Sequence, residues 1–433
     1  MRPTTHLLAA SWCLVAVAVL VSFRLELTHL LWWSAGGVIG IALVDFLLGL
    51  KSPELFYERT LPSRFALGQD EPVTLTLTNR GRRNLKLNVF DGVPATGEAR
   101  ELPWQGLVKP GQRMAVTYFV RMLQRGPEQF TPTDFLVGSP LGLWRRRVQL
   151  GDVESVKVYP NYEPLVSYAL LATEQRIEQM GIIRKNRAGM SKEFHQLRDY
   201  AQGDPLSQVD WKSSARRLEL ISRDYQEQRD QTVLLAIDSG TRMRSVEGEL
   251  SHFDHCLNSM LLLSYIALRQ GDKVGVLKFG GEGRWLPPVK GQHQMPTLLN
   301  HLYDYDITRE PSDFREAAEK ILVRQKRRAL VVILTNLRGE DGTELFASLE
   351  QLRRTHLVVL ASLQENSVLK AAEATEIKDL DQALTVAGAH HYRKERIEVL
   401  NKLQELGIHT IDTTARDLPI ALCNAYLDVK ARL

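Results

Sequence analysis

Two apolar runs open the chain, and the spacing of hydrophobic positions then changes twice. Residues 7–23, LLAASWCLVAVAVLVSF, carry no charge, and residues 29–50, HLLWWSAGGVIGIALVDFLLGL, carry only Asp45. Each is close to the roughly 20 residues that cross a hydrocarbon core, so the pattern predicts a transmembrane hairpin with spans of about 7–23 and 29–50. The first run is longer than the apolar part of a signal peptide, and no small-x-small cleavage site follows it. Arg24 in the turn is balanced by Glu26, whereas Arg2, Lys51, Arg59 and Arg64 flank the hairpin's outer ends, which places both ends in the cytoplasm. Trp32 and Trp33 suit an interfacial aromatic belt, Gly36, Gly37 and Gly40 suit close helix approach, and Asp45 reads as a carboxylate reaching the interface.

After Pro53 the period becomes two. VTLTLTN (73–79) and LKLNVF (85–90) alternate apolar with polar residues around the turn-forming NRGRRN, which predicts an antiparallel pair. MAVTYFV (114–120), QFTPTDFLVG (129–138) and VESVKVYP (153–160) continue the pattern between Pro-Gly and Arg-Gly-Pro turns, so residues 53–160 are expected to form a small β-sandwich. No catalytic cluster appears in it.

From residue 232 short apolar runs alternate with helical stretches. The runs are TVLLAID (232–238), DKVGVLKFGG (272–281), ALVVILTN (329–336), HLVVLASL (356–363) and IHTID (408–412). Between and after them lie helical patterns at 249–270, 311–327 and 343–354, a long one before 408, and a final one to the end. This is the sign of a doubly wound, mostly parallel sheet covered on both faces, with its ligand site at the carboxyl ends of the strands. Asp238 and Asn336 stand at two such ends. The expected organisation is thus multidomain: hairpin (1–52), sandwich (53–160), a linker with a polar box (161–231) and an α/β domain (232–433).

Charge and cysteine content narrow the functions. The 55 basic and 51 acidic residues leave a formal charge of +4, too small and mixed for a dedicated nucleic-acid binder. Cys13, Cys256 and Cys423 are far apart, with no CxxC pair, which supports neither a disulfide framework nor a cysteine-rich zinc site.

The box between sandwich and sheet, GMSKEFHQLRDYAQGDPLSQVDWKSSARRLELISRDYQEQ (189–228), is dense in Arg, Asp, Glu and aromatic residues. Gly189, Glu193, Phe194, Leu197, Arg198, Tyr200, Gly203, Asp204, Asp210, Trp211, Ser214, Ala215, Arg216, Arg223 and Glu227 fall in the order of the box of the bacterial domain-of-unknown-function 58 proteins, which the chain resembles. The resemblance implies two N-terminal membrane helices, a β-rich segment, the box and a von Willebrand factor A-like domain in the bacterial cytoplasmic (inner) membrane. It also implies work with MoxR-type AAA+ ATPases and other envelope proteins. The residues themselves allow two accounts of the box. Asp204 and Asp210 cap turns or helix starts while Trp211 packs and Arg198, Arg216 or Arg223 pair with carboxylates, or the arginines and Trp211 form a recognition surface.

In von Willebrand A domains a metal is held by Asp-x-Ser-x-Ser after the first strand, a Thr from a later loop and an Asp after the fourth strand, hard oxygen donors suited to Mg2+. Here LLAIDSGTRM (234–243) keeps Asp238 but has Gly240 and Arg242 in the serine positions, leaving Ser239 and Thr241 out of register. Asn336 replaces the second aspartate, and Thr308 is a loose match for the loop threonine. Two unit charges about 4 Å apart interact by roughly 4 kcal/mol at an effective dielectric near 20, so a guanidinium beside the site opposes a divalent cation strongly. The expectation is a degenerate site around Asp238, Thr308 and Asn336 that holds no metal, with Arg242 supplying the positive charge. Asp238, Ser239, Thr241, Arg242 and Asn336 then form an interaction surface.

No GxSxG, HExxH, GxxxxGK[ST] or strand-to-helix GxGxxG occurs, and FGGEGRW (279–285) reads as a hairpin turn. His195 with Asp199 or Asp204, and His390 with His391, read as surface or packing residues. The expected function is a membrane-anchored interaction module without catalytic residues or cofactor, docking an AAA+ ATPase or envelope-assembly partner. The alternative is a membrane-associated hydrolase using carboxylates of the box.

Overall fold

The computed structural model describes residues 1–22, 28–161, 192–200, 209–227, 231–374, 377 and 379–432. The chain divides into two compact units, Met1–Tyr159 and Pro160–Leu433.

In the first unit β1 (Arg2–Pro3) precedes two helices that pack on each other, α1 (Thr5–Ser22) and α2 (Thr28–Gly49). Among the described residues one helix is long and apolar enough to cross a membrane, over Leu31–Gly49 with mean hydropathy 1.8, while the apolar stretch Thr5–Val19 is shorter. Of the two expected spans, therefore, the second alone meets that length. Trp32 and Trp33 are 75% and 81% exposed on the helix surface. Gly36, Gly37 and Gly40 do not serve close helix approach, because a Cβ added at any of them meets nothing within 4 Å.

The strands that follow are β2 (Leu55–Thr60), β3 (Phe65–Ala66), β4 (Asp70–Asn79), β5 (Leu85–Gly92), β6 (Gly97–Arg100), β7 (Trp104–Val108), β8 (Arg113–Met122), β9 (Gly126–Gly138), β10 (Trp144–Leu150) and β11 (Glu154–Tyr159). They form a four-stranded sheet, β2-β4-β8-β6, and a seven-stranded sheet along β1-β10-β9-β11-β3, with β5 joining through β9 and β7. Alternation sends Val73, Leu75 and Leu77 of β4 and Leu85, Leu87 and Val89 of β5 into the core. The expected pairing of 73–79 with 85–90 does not form, because β4 pairs with β2 and β8 while β5 pairs with β7 and β9. Buried Asn79 makes the crossing between sheets possible. Its side-chain Nδ2 donates to the carbonyls of Arg83 (2.8 Å) and Val108 (3.0 Å), and its Oδ1 accepts from Gly81 N–H (3.0 Å). The turn thereby folds on its own side chain instead of closing a hairpin.

Asp45, expected to reach the interface, is fully buried. Near the end of α2 it accepts hydrogen bonds from Ser139 Oγ and from the backbone N–H groups of Leu141 (2.8 Å) and Leu143 (3.0 Å), in the turn between β9 and β10. Trp144 Nε1 donates to Ala42 O (2.8 Å), Arg146 Nη1 donates to Leu50 O (2.6 Å), and β1 pairs with β10. Both outer ends of the hairpin are thus fastened to the same edge of the sandwich.

The second unit contains a hairpin of β12 (Lys192–Asp199) and β13 (Ile221–Glu227), with α3 (Trp211–Arg217) between them in sequence. Then come β14 (Thr232–Asp238), a 3-10 turn (Thr241–Arg244), the small pair β15 (Val246–Glu247) and β16 (Leu250–Ser251), α4 (His252–Arg269), β17 (Lys273–Phe279) and β18 (Arg284–Lys290). The remaining elements are α5 (Met295–Leu302), α6 (Phe314–Arg324), β19 (Leu330–Thr335), α7 (Thr343–Arg353), β20 (Leu357–Leu363), α8 (Asn366–Ala372), α9 (Leu380–Glu405), β21 (His409–Thr413) and α10 (Leu418–Arg432). The sheet order is β18-β17-β14-β19-β20-β21, parallel throughout except for the β17–β18 hairpin. FGGEGRW is the turn of that hairpin. Residues of α6, α7 and α9 fill one core with one face of the sheet, while α4 packs on α10 and both touch strands. Continuous apolar strands with helices against them bury β19 entirely and β14 and β20 from their second residue on.

Asp45→Ala leaves two buried backbone donors without acceptors and should lower the stability of the first unit by about 3 kcal/mol, seen as a lower denaturation midpoint in detergent.

Candidate functional site

The carboxyl ends of β14, β19, β20 and β21 converge on a buried polar network. Asp238, the last residue of β14, is fully buried. Its carboxylate accepts from Gly240 N–H (2.8 Å), from Ser312 Oγ (2.7 and 2.6 Å to the two oxygens) and from Thr335 Oγ1 at the end of β19 (2.7 Å). Arg242 Nε lies 3.7 Å from Asp238 Oδ2, and Arg242 Nη1 donates to Asp341 Oδ2 and to Asn336 O (3.3 Å). The guanidinium carbon also sits 5.4 Å from the centre of the Phe314 ring, so the group is held flat between charge and an aromatic face. Burial pushes the Asp238 carboxyl above the ordinary carboxylate range, and the hydroxyl and N–H donors and Arg242 pull it down.

Gly240 is required by space: a Cβ there would lie 2.6 Å from Ser312 Oγ and 3.1 Å from Asp238 Oδ1. Ser312 thus supplies from another loop the hydroxyl that a serine at 240 would have placed on the aspartate. Ser239 and Thr308 do not face the carboxylate. Ser239 Oγ donates to the carbonyls of Phe279 (2.8 Å) and Gly280 (2.7 Å), and Thr308 Oγ1 donates to Gly280 O (2.7 Å) and Ser239 O (3.1 Å), so both fasten loop to strand. Thr241 is exposed, and its N–H donates to Glu310 O (3.1 Å).

Asn336 joins this group to a second one. Its Nδ2 donates to Glu365 Oε1 (2.9 Å) and its Oδ1 accepts from Arg396 Nη1 (3.1 Å). Arg396, from α9, is 5% exposed and reaches Leu337 O (2.5 Å), Ser362 Oγ (2.6 Å), Leu363 O (2.7 Å) and Asp412 Oδ1 (2.5 Å). His252, 1% exposed, lies 3.6 Å from Glu247, and burial holds its pKa below the ordinary imidazole value.

These residues do not fit a divalent cation. The oxygens of Asp238 are engaged by hydroxyls and N–H, a guanidinium stands at ion-pair distance, and Asn336 spends both side-chain atoms on Glu365 and Arg396. The arrangement is a fixed ionic network in which Arg242 holds the positive charge.

In the box, Asp210 caps α3 by accepting from Ser213 N–H (3.0 Å), and Ser214 Oγ donates to Asp210 O (2.8 Å) while accepting from Ile221 N–H (2.9 Å). The expected packing of Trp211 is corrected: it is 64% exposed, as are Leu218 (91%) and Leu220 (48%) beside exposed Arg216. Tyr200 N–H donates to Leu220 O (2.9 Å). Gly189, Gly203 and Asp204 lie outside the described residues, as do the side chains of Glu193, Phe194, Arg198, Arg223 and Glu227.

Residues 196–398 match the family described as Protein of unknown function DUF58. The uncharacterized protein YeaD of Bacillus subtilis (strain 168) is 23% identical over 270 residues, 61% of this chain and 63% of that protein, so the chain spans less than two thirds of the relative's length. Both matches support the domain-of-unknown-function 58 family. Among solved structures, an aerotolerance-related membrane protein from Bacteroides fragilis NCTC 9343 aligns at 13% identity over 47% of this chain and 97% of that one, with TM-score 0.28. Proximal thread matrix protein 1 from the mussel byssus aligns at 8% identity over 47% and 46%, with TM-score 0.29. Scores this low carry no argument.

Arg242→Met leaves two buried carboxylates uncompensated. Burial already raises the Asp238 pKa in the fold, so stability falls as pH rises through that value, and losing the guanidinium extends the fall. The variant should lose about 3–5 kcal/mol at neutral pH, and less near pH 4, by denaturant unfolding at the two pH values. Asn336→Asp replaces the donor to Glu365 with a second carboxylate and should cost about 1–3 kcal/mol at neutral pH in the same assay.

Proposed function

We propose that the chain is a membrane-anchored protein-interaction module, held by its N-terminal hairpin with the soluble units in the cytoplasm. In this proposal the second unit is von Willebrand factor A-like and docks a MoxR-type AAA+ ATPase or an envelope-assembly partner through the carboxyl-end face of its sheet. The observation that carries the proposal is the closed network at that face. Its charges are engaged by one another, and the exposed side chains of Thr241, Arg244, Arg309, Glu310 and Glu340 surround it as a mixed, mostly polar rim. A rim of this kind suits steering and register in protein association rather than bond-making chemistry. The von Willebrand A-like reading is supported by Asp238 after the first strand of the sheet and Asn336 after the fourth. Double passage of the membrane is supported by the attachment of both outer ends of the hairpin to β10 and the turn before it, even though α1 is short.

The partner is tested by purifying the tagged full chain from native membranes in mild detergent. An AAA+ ATPase should be recovered in fixed stoichiometry, and Arg244→Glu with Arg309→Glu should cut that recovery by at least about tenfold while the chain stays folded. Absence of any ATPase, or recovery unchanged by the charge reversals, would overturn the proposal.

A further inference from the structure

At the opposite end of the same sheet, the amino ends of β20 and β21 and the last turns of α7 and α10 enclose a cleft of about 590 Å³. Arg328, Arg353, Arg354 and Arg432 line it, with Glu350 and Asp428 as its acidic groups. Arg354 is paired with Glu350 at 3.1 Å, whereas Arg328, Arg353 and Arg432 have no ion-pair partner among the described residues. Basic residues in a helix's last turn answer the helix dipole, and that accounts for their being tolerated here. It does not account for the placement of Arg353. Its guanidinium lies over Gly407, where a Cβ would come 2.7 Å from Nη2, and Gly407 has φ +71, so the turn into β21 is shaped by a residue whose missing side chain leaves room for this arginine.

His356 lines the same cleft. It is 2% exposed, and neither ring nitrogen has a hydrogen-bond partner. Unpaired buried nitrogens cost free energy in the folded state, and His356 stands in the wall of the cleft rather than on its open surface. Burial lowers the pKa of His356, which keeps the ring neutral with one donor and one acceptor nitrogen. Along the floor run Leu357, Val358, Val359 and Val429, an apolar strip beside the cations.

We propose that this cleft binds a phosphorylated small molecule of mononucleotide size. Planar guanidiniums match phosphate oxygens in pairs, which lysine heads do not, and the cations in the lining are all arginines. The volume falls within the several hundred cubic ångströms typical of small-molecule sites, and the apolar strip fits a base or another flat apolar group at the far end from the phosphate. The site is at the other end of the strands from Asp238 and Arg242, so it is separate from the proposed docking face.

Isothermal titration of the full chain in detergent with inorganic pyrophosphate and with AMP tests this. Saturable binding is expected, weakened by added salt and reduced at least about tenfold in Arg353→Ala and in Arg432→Ala. Arg353→Lys should weaken it as well, since charge without the fork is insufficient. Arg315→Ala, on the exposed face of α6, should leave affinity unchanged and serves as the folded control. Stronger binding of AMP than of pyrophosphate places the apolar strip in the site. Absence of saturable binding by the wild-type chain, or equal affinity in Arg353→Ala and Arg432→Ala, would overturn the proposal.

Discussion

Two guanidiniums, Arg242 largely covered and Arg396 buried, hold the carboxyl end of the sheet together, and they meet at one asparagine. Arg242 ties the end of β14 to the loop after β19 through Asp238, Asp341 and Asn336 O. Arg396 ties that loop to β20 and β21 through Leu337 O, Ser362, Leu363 O and Asp412. Asn336 belongs to both groups, with its backbone oxygen on Arg242 and its side-chain oxygen on Arg396. An amide suits this position because it accepts from Arg396 while donating to Glu365; a carboxylate could not donate. Taking ions out of water is costly and is offset only where every lone pair and proton finds a partner, which is the condition this network meets for Arg396.

Buried charge also organises the first unit, with Arg59 Nη1 left without a hydrogen-bond partner. Arg59, 8% exposed, donates to Tyr57 OH (2.8 Å) and Thr131 O (2.9 Å) and lies 3.3 Å from Glu154, while Tyr118 and Thr133 donate to Asp91. Asp45 gathers Ser139 Oγ and the backbone N–H groups of Leu141 and Leu143 on one carboxylate and so fixes a helix whose surface alone specifies no orientation. An apolar helix has nothing in its own sequence that sets its angle to a β-sandwich; three hydrogen bonds to one turn do.

The parallel strands were legible because each is a short apolar run cut off by polar residues, and the helices because their buried positions repeat at three and four. Asp238 could be placed at a strand end for the same reason. What stayed hidden was pairing at a distance. The alternation of β4 and β5 is genuine, but period two says which face is buried and not which strand lies alongside, so a turn held by Asn79 was read as a hairpin. Thr308 stood out as the loop threonine while Ser312, four residues on in the same loop, carried no signal, because no local pattern marks which hydroxyl turns inward. Trp211 was expected to pack because large aromatic residues usually do. Arg396 did leave a trace: it shares the buried stripe of α9 with Ala389, Val399, Leu400 and Leu403, and a charge inside an apolar stripe is a signal of a buried partner.

An arginine at the carboxyl end of a sheet differs from a bound cation in what it can recognise. A magnesium ion keeps coordination positions filled by exchangeable water, and an incoming carboxylate can take one of them. Arg242 has no exchangeable ligand water: its Nε lies at ion-pair distance from Asp238 and its Nη1 is shared by Asp341 and Asn336 O, with the aromatic face of Phe314 beside the group. Any partner at this face is therefore met by the side chains around the network, and its affinity is set by their charge and shape rather than by the concentration of a divalent ion. The network's own contribution is rigidity: Gly240 has no room for a side chain, and the loops carrying Ser312, Asp341 and Glu365 are each fastened to it. Side chains on loops fixed in this way lose less conformational freedom on any association than side chains on mobile ones.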